Sequence, residues 1–136
     1  MKKSILPAFI TLFVLVMAAC NTSRKASGNA SIQKRWNISY IDSVSDAKVL
    51  ASQAFIDFSV PGKGGAKAGC NQLFFSFKLL AKDSLDLSQL GSTMMMCPEM
   101  EPETMLSRWL PMVDNYQIND SVLILRIGDK AVIRAH

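Results

Sequence analysis

Few side chains in this sequence are suited to catalysis, and their spacing does not assemble a reactive group. The only histidine is His136, so a Ser-His-Asp triad or a multi-histidine zinc site lacks its essential residue type. The carboxylates of Glu99, Glu101 and Glu103 lie two residues apart, a spacing that spreads them around a helix axis. We expect them to be solvated charges of a first helical turn, favoured by the helix dipole. The sequence therefore predicts a protein that is not an enzyme.

Cysteine is the next residue type that could bind a ligand or form a crosslink. Cys70 and Cys97 could supply two metal ligands, but no convincing third and fourth ligand accompanies them in the sequence. In an oxidising compartment a disulfide between them is favoured. Two free buried thiols and a redox pair are the alternatives, and the redox pair is disfavoured because the sequence has no Cys-x-x-Cys.

Methionine is unusually concentrated in the second half of the chain. Met94, Met95 and Met96 are consecutive, and Met100, Met105 and Met112 follow them. Thioethers bind soft metals, but they also fill irregular gaps in an apolar core. We expect these side chains to pack beneath a helix, and we predict no metal and no cofactor.

The first 19 residues have the layout of a secretory signal. Lys2 and Lys3 precede an apolar run over residues 5–16, and two alanines then precede Cys20. The run is shorter than the roughly 20 residues that a membrane-spanning helix needs. We therefore predict a signal peptide at residues 1–19.

The residues at the end of this leader resemble a bacterial lipobox, Val-Met-Ala-Ala-Cys, in which the Cys becomes the lipid-modified first residue of the mature chain. The resemblance implies a lipid anchor on Cys20, and each buried CH₂ of such an anchor contributes about 0.8 kcal/mol. Residues 21–30 are polar and lack large apolar side chains, so a flexible tether is expected over residues 20–34. An Asp directly after the lipidated Cys is the common signal for retention in the inner membrane, and Cys20 is followed by Asn21 instead. This resembles an outer-membrane lipoprotein, so we expect an outer-membrane protein that faces the periplasm.

The leader also distorts the composition. The whole chain is 49% hydrophobic with a net charge of +4. Without the leader the hydrophobic share is about 45%, which is ordinary for a soluble domain. The body is nearly neutral and has no stripe of basic and aromatic residues, so we expect no nucleic-acid partner. Residues 35–136 are predicted to form one domain, and we expect a monomer.

The elements that must position these residues are mostly strands. Alternation of apolar and polar residues predicts strands over 36–40, 54–60, 73–79, 83–87, 121–127 and 131–134. Residues 43–52 are predicted to be a loop and residues 61–65 a turn. Gly128 and Asp129 form a two-residue hairpin turn between the last strands.

One segment has helical periodicity instead. Acidic and proline residues at 98–103 are typical of a helix start, and apolar residues then recur every three or four positions to Val113. Pro111 is expected to distort or end this helix. The fold class is therefore mainly β (α+β), a small antiparallel barrel or meander with one amphipathic helix packed on it.

Several motifs in this order resemble the META domain, the family of HslJ-like heat-shock lipoproteins. They are Trp36 at the first strand, Gly69-Cys70-Asn71, a Phe-rich strand, Thr93-Met94-Met95-Met96-Cys97, a Glu-bearing helix and Tyr116 before an apolar strand. The resemblance covers residues 35–133. It implies a compact β-rich domain with one helix, and it makes pairing of Cys70 with Cys97 plausible.

By the same resemblance, Trp36, Gly69, Asn71, Thr93 and Met95 are motif positions together with both cysteines. Hydrogen bonding within a turn would explain Asn71. The family is linked to heat and envelope stress without an established catalysis. We therefore expect a lipid-anchored envelope protein that binds an envelope component, with inhibition of a periplasmic protease or muramidase as the alternative.

Overall fold

The computed structural model describes residues 31–136. The predicted signal peptide, Cys20 and most of the predicted tether fall within residues 1–30, outside the described residues. No helix between residues 31 and 136 combines the length and the hydropathy required to span a membrane.

The described chain contains eight strands, two α-helices and two 3-10 turns. The strands are β1 (Arg35–Ile41), β2 (Phe55–Val60), β3 (Lys63–Lys67), β4 (Leu73–Leu79), β5 (Leu85–Ser92), β6 (Asn115–Asn119), β7 (Val122–Ile127) and β8 (Lys130–Ala135). The helices are α1 (Asp46–Ala51) and α2 (Glu101–Trp109), and the 3-10 turns are Ala81–Asp83 and Leu110–Met112.

The strands form one antiparallel sheet in the order β5-β4-β3-β2-β1-β8-β7-β6. β1 joins its two halves, because its first residues pair with β2 and its last residues pair with β8. The sheet curls until its edge strands meet at one point, where Ser84 bridges to Asn115 and the Leu85 N–H donates to the Asp114 carbonyl at 2.9 Å. The predicted fold class, mainly antiparallel β with a packed helix, is confirmed.

The core lies inside the curl and is closed by α2. Trp36 and Phe58 are its largest fully buried side chains, and Leu106 and Leu110 of the helical segment are buried with them. The predicted helix is confirmed as α2, and the 3-10 turn that contains Pro111 follows it directly. The hairpin turn at Gly128 is also confirmed, and its φ of +55° is a conformation that suits glycine.

Alternation along residues 36–40 and 54–60 would place Tyr40 and Val60 on buried faces, and irregular register makes both expectations wrong. The pairing of β1 with β8 shifts between Ile38 and Tyr40, so Tyr40 is half-buried and Ile41 takes the core position. β2 shifts likewise between Asp57 and Val60, which leaves Val60 exposed. An extra residue at a bulge reverses the alternation of faces.

Other corrections concern elements with weak sequence patterns. Residues 43–52 include α1, which buries only Val49 and therefore lacks a detectable apolar period. The predicted turn at 61–65 is shorter, because β3 starts at Lys63. In β3, Gly64 lies against Phe75, whose ring occupies the space that a Cβ would need. The strand predicted at 83–87 is shifted to Leu85–Ser92, and β6 was not predicted.

Candidate functional site

Strand pairing brings the two motif segments of the sequence together. In the β4–β5 pair, Leu73 lies opposite Ser92. The residues before β4 and the residues after β5 must therefore be neighbours in space. Gly69, Cys70 and Asn71 form the first segment, and residues 93–97, here named the methionine segment, form the second.

The side chain of Asn71 holds the methionine segment in place. Its Oδ1 accepts hydrogen bonds from the Thr93 hydroxyl at 2.9 Å and from the Met95 N–H at 2.6 Å. Its Nδ2 donates to the Met95 carbonyl at 2.9 Å. The amide therefore pairs with both backbone groups of Met95, as a neighbouring strand would. These partners are more than 20 residues away, so the expectation that Asn71 bonds only within its own turn is wrong.

The carboxylate of Glu103 completes this polar network. Its Oε2 accepts from the Asn71 N–H at 3.0 Å, and its Oε1 accepts from Asn71 Nδ2 at 2.6 Å. Only 5% of Glu103 is exposed. The prediction of three solvated carboxylates is therefore wrong for Glu103, although Glu99 and Glu101 are exposed and form ion pairs with Lys48.

Gly69 allows the carboxylate to approach the backbone. A Cβ at this position would lie 2.7 Å from Glu103 Oε2 and 3.4 Å from its Cβ. Because a carbon cannot sit that close to the oxygen, any larger residue would displace the carboxylate from Asn71. The glycine of the Gly-Cys-Asn motif is explained by this contact.

Cys70 and Cys97, the predicted pair, are joined by a disulfide. The crosslink ties the residue before Asn71 to the end of the methionine segment. The two sulfurs and a carboxylate oxygen of Glu103 lie within 4.8 Å of one another. Glu103 is therefore the third potential metal ligand that the sequence did not reveal. In the disulfide the sulfurs are not thiolates, and a thiolate is the form of cysteine that binds metals.

The methionine side chains are not in the core. Met94 is 96% exposed and Met96 is 95% exposed, and Met95 is 53% exposed. With Met100 they line an open cavity of about 310 Å³, whose wall also includes Asn71, Thr93 and Glu103. The prediction that these methionines fill the core is therefore wrong for residues 94–96. Only Met105 among the later methionines packs against the core, and Met112 is 51% exposed.

Most motif positions named from the sequence converge at this site. Trp36 is the exception, because it is fully buried in the core and its indole N–H donates to the Ile32 carbonyl at 2.8 Å. The positions that meet are Gly69, Cys70, Asn71, Thr93, Met95 and Cys97.

Sequence reasoning missed the roles of Glu103 and of the exposed methionines, although each had a signal. Glu103 precedes Leu106 by three residues and Leu110 by seven, so all three share the buried face of the helical segment. Three consecutive large side chains in an extended segment cannot all face one core, because successive side chains alternate in direction.

The fold and this site define a small antiparallel β protein with one disulfide-linked motif site. The sequence matches the META domain over residues 29–135. The chain therefore belongs to the META domain family.

Solved structures show the same fold at low sequence identity. A DUF4847 family protein from Bacteroides vulgatus ATCC 8482 has a TM-score of 0.57 and 14% identity, and the match covers 76% of this chain and 91% of that one. A protein from Burkholderia xenovorans, solved by NMR, has a TM-score of 0.58 and 17% identity, covering 76% of this chain and 80% of the other. Among curated proteins, none matches the sequence.

Proposed function

We propose that this META-domain protein is a non-enzymatic, lipid-anchored envelope protein that contributes to stress tolerance by binding another envelope protein through the methionine segment. The observation that carries the proposal is the near-complete exposure of Met94 and Met96 on a backbone that Asn71 fixes. Exposed apolar side chains grouped on a folded domain mark interaction sites. Methionine suits such a site because its flexible thioether adapts to different partner surfaces.

The polar groups of the site favour binding over catalysis. In the part of the chain that the structure describes, no buried side-chain nitrogen or oxygen lacks a hydrogen-bond partner. Asn71 and Glu103 are each engaged in the network that holds the methionine segment. Their role in the proposal is to position the binding surface.

The anchor would restrict where the partner lies. The free part of the tether would end before residue 31, because Ile32 is already buried in the core. A lipid on Cys20 with a flexible chain over residues 21–30 would hold the domain near the bilayer, at a root-mean-square distance of about 20 Å. The partner is therefore expected at the membrane surface.

The anchor is tested by Cys20→Ala. Without the acyl chains the protein loses the apolar contribution that retains it on a bilayer, so it should move from the membrane fraction to the soluble fraction of lysed envelopes. The matched control is Cys70→Ser with Cys97→Ser, which removes the other cysteines and should leave the protein on the membrane. Unchanged membrane association of Cys20→Ala would refute the anchor.

The binding surface is tested by a photo-crosslinking amino acid placed at Met96 in intact cells. The control position is Leu80, which is 55% exposed and lies at the opposite end of the β4–β5 hairpin. A partner captured from Met96 and not from Leu80 supports the proposal, and a hydrolase as that partner would identify the function as inhibition. Equal capture from the two positions, or none from either, contradicts it.

A further inference from the structure

Four methionines line the open cavity beside the methionine segment. Met94, Met95, Met96 and Met100 all line its wall, and its volume is about 310 Å³. The backbone that carries Met95 is fixed on both sides by the Asn71 amide. Thioether sulfurs are ligands that soft metal ions prefer, and flexible methionine side chains on a fixed backbone can turn towards one ion.

A buried carboxyl group lies on the same wall. Glu103 is 5% exposed and also lines the cavity. Within residues 31–136, no lysine or arginine forms an ion pair with it. Its oxygens accept hydrogen bonds from Asn71, but these donors carry no formal charge. Electrostatic attraction is strong near the protein interior, where the effective dielectric constant is low, so a cation in the cavity would be stabilised.

We propose that the thioethers of Met94, Met95, Met96 and Met100 form a binding site for a soft monovalent cation, Cu(I) or Ag(I), beside the carboxylate of Glu103. The cation binds as it is, with no change in oxidation state. Thioethers carry no proton, so binding releases none from these ligands. The site uses the same segment as the proposed function but does not require a protein partner.

The ligand chemistry excludes the harder metals from this proposal. Magnesium and calcium require several oxygen ligands, whereas the oxygens of Asn71 and Glu103 are occupied by the network. Zinc binding by cysteine needs thiolates, and both described cysteines are in the disulfide. The thioethers are therefore the soft ligand atoms of this cavity.

The experiment is a titration with Ag(I), which is redox-inert, in chloride-free buffer. The mature chain carries Cys20→Ala so that no free thiol competes. Native mass spectrometry gives the stoichiometry, and NMR of ¹³C-labelled methionine methyl groups locates the cation. We expect one Ag(I) per chain, with shifted methyl signals for Met94, Met95, Met96 and Met100 and unshifted signals for Met105 and Met112.

Matched variants separate the site from methionine content in general. Met94→Leu with Met96→Leu and Met100→Leu keeps apolar side chains of similar volume and removes three sulfurs, so Ag(I) affinity should fall at least tenfold. Met112→Leu removes an exposed thioether outside the cavity and should leave the affinity within twofold of the parent chain. Circular dichroism of each variant verifies the fold.

The proposal is overturned if the triple variant binds Ag(I) as tightly as the parent chain, or if the Met112 methyl shifts as much as the cavity methyls. Absence of a 1:1 complex also overturns it. These results are independent of the crosslinking at Met96, so failure of the metal site is distinguishable from failure of the proposed protein partner.

Discussion

At the residue scale, the site depends on the side-chain amide of Asn71, which forms the two backbone hydrogen bonds to Met95 that a neighbouring strand would otherwise form. Asn71 is 2% exposed, and both ends of its amide are engaged by the methionine segment. The same amide and its backbone N–H satisfy the buried carboxylate of Glu103. Because a buried polar group that loses its partner is costly, the residues of this network depend on one another.

Asn71→Ala is therefore expected to lower the free energy of unfolding by about 2–4 kcal/mol, since it removes four side-chain hydrogen bonds and deprives Glu103 of a donor. Urea unfolding followed by tryptophan fluorescence measures the change. The matched control is Asn37→Ala, at an exposed asparagine of β1, which should change stability by less than about 0.5 kcal/mol. Equal losses in the two variants would show that the network does not contribute as described.

At the element scale, the methionine segment has no regular secondary structure of its own. It lies between β5 and α2, and it is held by the Asn71 amide and by the disulfide to Cys70. α2 in turn presents Glu103 to the network from its first turn. The segment can therefore expose apolar side chains on a fixed backbone.

Replacing Cys70 and Cys97 together by serine tests the crosslink. The 27-residue separation of the cysteines predicts a loss of about 3–4 kcal/mol in the free energy of unfolding, because the open chain gains loop entropy in the unfolded state. The comparison is the parent chain with and without reductant. Reductant should lower the stability of the parent chain by the same amount as the double substitution does. It should leave the stability of the double variant unchanged.

A direct check is thiol labelling of the unfolded, unreduced mature chain. Neither Cys70 nor Cys97 should react with the reagent. Full labelling of both would contradict the disulfide.

At the scale of the whole molecule, the described domain is electrically balanced. Four of the 15 basic residues and none of the 11 acidic residues lie in residues 1–30, so residues 31–136 carry equal numbers of both signs. Long-range attraction to a charged partner is therefore weak, and local ion pairs dominate the pH response.

One of these ion pairs joins distant parts of the fold. Lys130 at the start of β8 donates to Asp42 Oδ2 at 2.8 Å, and the Trp109 indole at the end of α2 donates to the Asp42 carbonyl at 3.0 Å. The hydrogen bond from Lys130, reinforced by Ser43 and Tyr40, holds the pKa of Asp42 below its usual value despite partial burial. In the same contact, burial and the neighbouring Asp42 raise the pKa of Tyr40.

The lowered pKa of Asp42 predicts the direction of the pH dependence. The ionised carboxylate is favoured in the folded state, so its stabilisation is present above the unfolded-chain pKa of about 3.9. It is lost as the pH falls through the lower folded-state pKa. Asp42→Asn should cost about 1 kcal/mol in the free energy of unfolding at pH 7, since Lys130 is largely solvent-exposed. The cost should be smaller at pH 2 than at pH 7, which urea unfolding at both pH values measures.

The control for this prediction is Asp120→Asn in the exposed turn after β6. It should lower stability at neither pH. A loss in Asp42→Asn that is the same at pH 7 and at pH 2 would contradict the role assigned to the ionised carboxylate.

Local patterns in the sequence were sufficient for the fold class. Alternation along 73–79 and helical spacing before Pro111 predicted β4 and α2, because burial of one face imposes those periods. Elements without such a period were missed. β3 consists largely of glycine and alanine, and α1 buries a single side chain, so packing and not pattern determines them.

The candidate site divides in the same way. The sequence by itself determined the residue types of the site, since the Gly-Cys-Asn and Thr-to-Cys97 motifs are read directly and carry the family resemblance. Helical spacing places Glu103 on the buried face of α2, but only the tertiary structure decided that Asn71 is its partner and that this amide fixes the exposed methionine segment. The physical reason is distance along the chain. The contacts that bury Glu103 and fix Met95 join residues 24 to 32 positions apart, and no local period encodes such contacts.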